Sequence, residues 1–354
     1  MSSIREDIVI RIYQAAPPAG HFDRWETFVR GRDRAALSYH PAWPQVLGLG
    51  LRHAPYWIEA STGDEICGLL PLCLVRSLLF GRFLVGLPYL NYGGPIAESD
   101  EVAGSLIDRA VELAGQLGAS RLELRHESVV DHPALMTRAG HKVNMKLALA
   151  STTEGLWKAL GSSVRNQVRK GEKSGLTVHW GGEERLAEFY DVFSRNMRDL
   201  GTPVFGQSLF SSALRAFPGQ AELCVVRIGP RPVAAAMLLH GWGITEVPSA
   251  SSLKKFNNTC ANMLMYHRLL ARAIERGQAV FDFGRSSPES PTFRFKKQWG
   301  AEPHSANWQY LLNAGGVADT SREDPRYERL IRIWRRLPVP LTRWIGPPIV
   351  RGIP

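Results

Sequence analysis

The sequence predicts an α/β (α+β) fold in which one unit is used twice, followed by an amphipathic C-terminal helix. Three observations predict it. The same order of hairpin, strand, polar loop, helix and strand occurs in each half of the 354 residues. The hairpin-turn glycine and the helix-ending glycine lie 55 residues apart in the first half (Gly63, Gly118) and 48 in the second (Gly229, Gly277). After residue 316 the composition turns to arginine, proline and glycine. At about 100–200 residues per domain, the length fits two domains.

In the first half, Tyr56–Ala60 and Ile66–Val75 read as strands around the turn Ser61–Glu65. Phe83–Leu87 is strand-like, and Asn91-Tyr-Gly-Gly-Pro95 is a polar glycine loop. Val102, Leu106, Ala110, Leu113, Ala114 and Leu117 recur at helical spacing, which predicts a helix over 101–117 ended by Gly118. The strand Arg121–Arg125 follows.

In the second half, Ala221–Ile228 and Val233–His240 are strands around Gly229–Pro232, with a third strand near Ile244–Ala250. The loop Ser251–Asn258 leads into a helix over 260–276, for which Asn258 or Thr259 is the expected N-cap. The strand Ala279–Phe283 closes the unit.

Between the halves, Glu154–Ser174 reads as one or two helices ending at Gly175. Arg165, Arg169 and Lys173 form a cationic stripe there, either a solvated face or an anion contact. In the tail, Asp324 is the expected N-cap and Pro325 the first helical residue. Tyr327, Leu330, Ile331, Trp334 and Leu337 form the apolar stripe. Residues 338–354 are expected not to continue the helix because of their prolines.

Composition removes several classes. Hydrophobic residues make up 44% and charged residues 21%, an ordinary globular balance that excludes general disorder. Four scattered cysteines without a C-x-x-C pair give no disulfide framework and no zinc site; they fit a reducing, cytoplasmic setting. The histidines form no H-E-x-x-H pair, so no metal is expected, and without a G-x-S-x-G string a serine hydrolase is not indicated. The N-terminus has no secretory h-region. The most apolar stretch, 66–90, contains Arg76 and Arg82, each costing about 2.5–3.5 kcal/mol at a bilayer centre, so strands are the better reading. A net charge of +10 points to an anionic partner such as a phosphate-bearing co-substrate, RNA or a membrane surface. Half of that excess lies in 324–354, where seven arginines face two acids.

Ser38-Tyr-His-Pro-Ala-Trp43, Leu90–Pro95, Trp157-Lys-Ala-Leu160 with Val164–Lys173, and above all Phe281-Asp-Phe-Gly284 followed by Phe295-Lys296-x-x-Trp-Gly300 resemble the FemAB-like acyltransferases over roughly residues 20–313. Trp334-Arg-Arg-Leu-Pro338 and Ile345-Gly-Pro-Pro348 resemble the FemAB-related proteins associated with exosortase/PEP-CTERM systems. The resemblance implies two tandem GNAT-like domains, each a mixed, mostly antiparallel sheet flanked by helices. They would occupy residues 1–150 and 151–315, with a basic tail over 316–354. It implies acyl transfer to an amine on a cell-envelope or exopolysaccharide precursor, with acyl-CoA or aminoacyl-tRNA as co-substrate and no permanently bound cofactor. The scattered cysteines fit a cytoplasmic setting, and the tail helix either docks its apolar stripe on the protein or lies as an interfacial helix on anionic lipid at the inner face of the membrane.

The resemblance places Lys296 at the reacting centre, where a cation aimed at a tetrahedral oxyanion lowers the barrier by about 3–4 kcal/mol. The plain alternative is a surface charge on a strand-to-loop crossing. Phe295 and Trp299 would wall the site, and Asn91, Tyr92, Gly93 and Gly94 would contact substrate in the first domain. Asp282 is the candidate base or, more simply, an acid orienting the Gly284–Ser287 loop; His240 and Glu246 are alternatives. Lys254, Lys255, Asn258, Thr259 and Arg285 would hold phosphates at a helix start. The only string shaped like an acetyl-CoA pyrophosphate loop, Gln45–Gly50, precedes the first hairpin and reads as chance. Two rival readings remain. One is a generic acyl-CoA-dependent GNAT enzyme acting on a small amine. The other is a non-catalytic membrane-surface scaffold for polymer assembly.

Overall fold

The computed structural model describes residues 8–15, 17–32, 36–77, 81–127, 129–138, 140–312 and 325–353. It divides into two compact units. The first takes the described residues up to His141 together with 305–312 and 351–353; the second takes 142–304 and 325–350.

The first unit contains β1 (Ile8–Gln14), α1 (His21–Arg30), α2 (Trp43–Leu51), β2 (Ala54–Thr62), β3 (Glu65–Ser77), β4 (Gly81–Val85), β5 (Ile96–Ala97), α3 (Asp100–Gln116), β6 (Arg121–His126) and β7 (Met136–Arg138). The second contains β8 (Val143–Ala148), α4 (Thr153–Ala159), α5 (Ser162–Lys173), β9 (Leu176–Gly181), α6 (Leu186–Leu200), α7 (Gln207–Ala216), β10 (Ala221–Ile228), β11 (Arg231–Gly241), β12 (Ile244–Ser252), α8 (Ala261–Glu275), β13 (Val280–Ser286), α9 (Pro291–Lys297) and β14 (Glu302–Ser305). Strand β15 (Asn307–Leu312) returns to the first sheet, and α10 (Pro325–Trp334) and α11 (Val339–Val350) follow.

The first sheet runs β1-β2-β3-β4-β6-β15-β7, with β5 on β3. The second runs β14-β8-β13-β12-β11-β10-β9. Each has one parallel pair, three residues long: Phe83–Val85 on Arg121–Glu123, and Ile244–Glu246 on Val280–Asp282. The other strand pairs whose register is described are antiparallel. The duplicated order read from the sequence is therefore real, down to the position of the parallel pair in each copy.

α3 forms because its apolar residues repeat at helical spacing and Ser99 caps it, accepting from Val102 N at 3.3 Å. Its buried face (Val102, Leu106, Ile107, Ala110, Leu113) lies on Ile58, Leu70, Leu72, Leu84 and Leu122. Burying each such leucine stabilises the unit by about 1.5–3 kcal/mol. Gly68 permits this approach, since a Cβ there would lie 2.6 Å from Val102 Cγ1. Elsewhere in this unit, Trp25 stacks on Trp57 at 5.7 Å. The indole N–H groups of Trp25, Trp43 and Trp57 donate to Glu59 Oε2, Leu37 O and Pro41 O, so none of these buried rings leaves a donor unmet.

Three expectations change. A single cut near residue 150 separates β8 from its partner, for β8 pairs β13 in the second sheet, while β15 belongs to the first. α10 stops at Trp334, before Pro338, as expected, but the prolines beyond it do not exclude a second helix. α11 spans Val339–Val350 with Pro340 in its first turn, where the missing N–H is not needed, and Pro347 and Pro348 in its last. Its inner face holds it: Gly346 lies against Val204, and Arg343 reaches Asp191 Oδ1 at 2.6 Å and Ser194 Oγ at 2.8 Å on α6. Neither Asn258 nor Thr259 caps α8. Residues 254–259 form a 3-10 turn in which the Thr259 hydroxyl donates to Phe256 O at 2.7 Å, and Cys260, at φ 58°, takes the cap position. The expected cap Asp324 and the tail boundary at 316 lie outside the described residues. Among the described residues no helix is long and apolar enough to cross a membrane.

Gly68→Ala should destabilise the protein by about 1–3 kcal/mol through overpacking under α3. Adding Val102→Ala should recover part of that loss in denaturant melts, whereas strict additivity of the two costs would refute the contact.

Candidate active site

Strands β12 and β13 pair only as far as Glu246 and Asp282, yet both run on, to Ser252 and Ser286. Past that point they separate. β12 stays paired to β11, and β13 to β8 with a register shift between Asp282 and Arg285. Backbone groups that leave a ladder need new partners. Asp282 Oδ1 accepts from Gly284 N at 2.7 Å, with Gly284 at φ 76°. Lys296 Nζ donates to Gly284 O at 2.9 Å and to Arg285 O at 2.8 Å.

Lys296 is therefore neither a surface charge nor on a strand-to-loop crossing. It sits on α9, capped by Ser290 Oγ accepting from Phe293 N, with Pro291 first in the helix. It is 8% exposed. Burial, helped by the Arg285 charge and opposed by Asp282, lowers its pKa to about 8. An ammonium carries three donors, so two carbonyls leave one N–H beside the opening.

The side chains at the parting point divide by face. Met145, Val247, Phe281 and Phe283 join the apolar core with α5 and α8. By strand alternation Asn144, Lys146, Glu246 and Asp282 fall on the other face. Ser251, bonded to Asn196 of α6 at 3.1 Å, is there too. Asn144 is 1% exposed, and neither of its amide atoms has a hydrogen-bond partner among the described residues. It stands opposite Arg285 in register. Each such group costs about 1–3 kcal/mol unless water or a ligand group meets it.

The other expected residues are placed as follows. His240 is set into a buried network, its Nδ1 2.8 Å from Thr245 Oγ1 and its Nε2 3.5 Å from Glu222, and burial lowers its pKa. Arg272 and Arg276 complete that network and hold Glu222 down to about 2 against the opposing effect of burial. Lys254, Lys255 and Asn258 are exposed on the 3-10 turn before α8, whose N-terminus has no side-chain cap. Phe295 and Trp299 pack with Tyr266, itself stacked on Phe283. On α5, Arg165 Nη1 lies 3.5 Å from the carbonyls of Trp157 and Lys158, and Arg169 lies over the Trp157 ring. Two members of the cationic stripe thus have local partners. An open groove of about 470 Å³ between α5, α8 and β9 lies at the β9 edge of the sheet, away from β13.

The first unit has the same parallel pair but no opening. Gly86 N donates to Glu123 O at 2.8 Å, and Gly93 bridges Arg125 through both backbone bonds. The chain crosses itself so closely that a Cβ on Gly86 would lie 1.7 Å from Gly93 O. Arg125, paired with Glu123, also holds Leu90 O at 2.9 Å. Tyr92, Gly93 and Gly94 are buried in this plug, with Asn91 half-buried at its edge. Gln45–Gly50 lies inside α2 and forms no loop.

Asn144 and Lys146 were not among the sequence candidates. The alternation Val143-Asn-Met-Lys-Leu147 is a strand signal that could have found β8, but no motif marks the amide.

Two mixed sheets flanked by helices, each with one short parallel pair, define a tandem GNAT-type fold. Residues 161–297 match the family model for an acetyltransferase (GNAT) domain. The chain is similar in structure to FemX (16% identity, TM-score 0.64, covering 91% of this chain and 100% of that one). It is also similar to the C-terminal domain of a putative lysylphosphatidylglycerol synthetase from Agrobacterium fabrum (13%, 0.55, 84% and 98%). A tandem GNAT protein from the clavulanic acid biosynthesis pathway is similar as well (11%, 0.53, 88% and 100%). A comparison with curated protein sequences finds no match.

Because Lys296 has a folded pKa of about 8 against 10.5 unfolded, the unfolded chain binds more protons between those values. The cost of its buried charge is fully present below pH 8 and is relieved as pH rises toward 10.5. Relative to Lys296→Met, the wild type should gain stability over that range, on the order of 3 kcal/mol. Parallel stability–pH curves for the two proteins would contradict the assignment.

Proposed function

We propose that the chain is an N-acyltransferase that moves an aminoacyl or other acyl group onto an amino group of a cell-envelope precursor. The observation that carries this reading is the opening between β12 and β13, with a buried lysine at its edge and carboxylates at its floor. The matching stretch in the first unit is closed by its own backbone, which favours the second unit as the reacting one.

Attack of an amine on an ester or thioester carbonyl forms a tetrahedral oxyanion and requires the amine to lose a proton. The remaining N–H of Lys296 suits the oxyanion. Asp282 holds Gly284 in place and is a positioning residue. Glu246, directly opposite Asp282 across the parallel pair, is the carboxylate we assign to receive the proton and to return it to the departing tRNA hydroxyl or CoA thiol as the C–O or C–S bond breaks and the amide forms. Asn144 and Arg285 then read the polar part of the acceptor. The uncapped start of α8 with Lys254 and Lys255 suits the phosphates of the donor, an aminoacyl-tRNA or an acyl-CoA. The similarity to FemX and to a lysylphosphatidylglycerol synthetase supports the aminoacyl form of the reaction.

Purified protein should transfer a labelled acyl group from either an aminoacyl-tRNA or an acyl-CoA to an amine acceptor; transfer from neither would overturn the reading. Glu246→Gln should lower kcat by about 10²–10⁴-fold with little change in KM. The wild-type rate should fall as pH rises through 8, where Lys296 loses its charge. Replacing Lys254 and Lys255 together by Gln should raise the KM for the donor and leave kcat unchanged. An unaltered KM would remove the phosphate role.

A further inference from the structure

The helical pair α10–α11 has two unlike faces. The inner face is anchored on α6 through Arg343 and on the segment just after α6 through Ile331 at Gly201 and Gly346 at Val204, and Arg198 Nη1 of α6 donates to Leu337 O at 2.9 Å. The outer face is apolar. Of the eleven large hydrophobic residues that stand exposed among the described residues, five lie between 330 and 349: Leu330, Ile333, Leu341, Trp344 and Ile349. Trp344 is the most exposed of all, at 77%.

Their spacing is regular. Leu330 and Ile333 stand three apart on α10, and Leu341, Trp344 and Pro348 repeat at i, i+3, i+7 on α11. Each set forms a strip along one side of its helix. On α10 an arginine precedes each of the two, Arg329 and Arg332, and Arg336 stands in the turn just after the helix; all three are exposed. One position is about 100° around a helix, so a cationic strip lies beside the apolar one. Glu328 is the only carboxylate in 328–353.

We infer that this face rests on the surface of an anionic lipid bilayer. The charge argues for that occupant: three guanidinium groups border an apolar strip, with one acid beside them. A tryptophan left in water on a rim of this kind is the residue type that favours the boundary between headgroups and acyl chains. No described helix can span a membrane, so the pair lies in the interface and does not cross it. The inner contacts to α6 hold it in shape while the outer face is occupied.

The test uses the full chain and sedimentation with vesicles of phosphatidylcholine alone or mixed with phosphatidylglycerol. Binding to the anionic vesicles is expected, weakening as salt is added. Changing Arg329, Arg332 and Arg336 together to Gln should lower the partition onto anionic vesicles on the order of 100-fold, at about 1 kcal/mol for each charge. Leu330→Ser with Trp344→Ser should lower it at least tenfold. These side chains are exposed, so the circular dichroism spectrum and melting temperature should stay at wild-type values. Failure of the wild type to sediment with anionic vesicles would overturn the inference. So would self-association without lipid that Trp344→Ser abolishes, because that outcome gives the face to a second copy of the chain.

Discussion

The second unit depends on how β13 is allowed to leave its neighbour. A strand that parts from a ladder exposes amides and carbonyls that must be met within the protein. Here one carboxylate and one ammonium do it. Asp282 takes the Gly284 amide, and Lys296 takes the next two carbonyls. Removing either group would pull β13 back toward β12 or leave buried polar atoms unmet. The opening, the lysine beside it and the acids at its base are thus one arrangement, in which the groups that create the gap are also those that face it.

The two units show what the same topology does with and without such groups. In the first, the strand pair is followed by a loop that returns across it, and two glycines let the backbones touch. Arg125 fastens the loop by a carbonyl, and Glu123 neutralises the arginine. The result is a closed sheet. In the second, the chain turns away into a 3-10 turn and an uncapped helix, so the sheet stays open. One copy is closed by its own backbone, and the other leaves its strand pair parted beyond Glu246 and Asp282.

Much of this was legible from residue patterns. The hairpins at Gly63 and Gly229 and the helices over α3 and α8 follow from turn chemistry and spacing. The orienting role of Asp282 was readable from its place at the end of an apolar strand, ahead of the Gly284–Ser287 loop. Other parts were harder for definite reasons. Lys296 looks exposed if Pro291–Lys297 is read as a loop. Ser290 followed by Pro291 is a helix start, and on a helix Phe293 and Lys296 share the inner face. α6 carries Leu186, Phe189, Tyr190 and Phe193 at helical spacing, a pattern that marks a helix. The sheet assignments of β8 and β15 have no local signal, because pairing partners more than 130 residues away decide them. The helix over 339–350 is set by its docking on α6, which overrides the proline count.

The position of β15 has a consequence for how the protein is made. Residues 307–312 lie between β6 and β7, and Gln309 donates to Val130 O and Thr137 Oγ1. The first sheet is therefore unfinished until the ribosome has passed residue 312, after nearly all of the second unit has been synthesised. During that interval β6 and β7 present two unpaired edges. The N-terminal unit is encoded first and completed late, and its assembly waits on a strand from the far side of its duplicate.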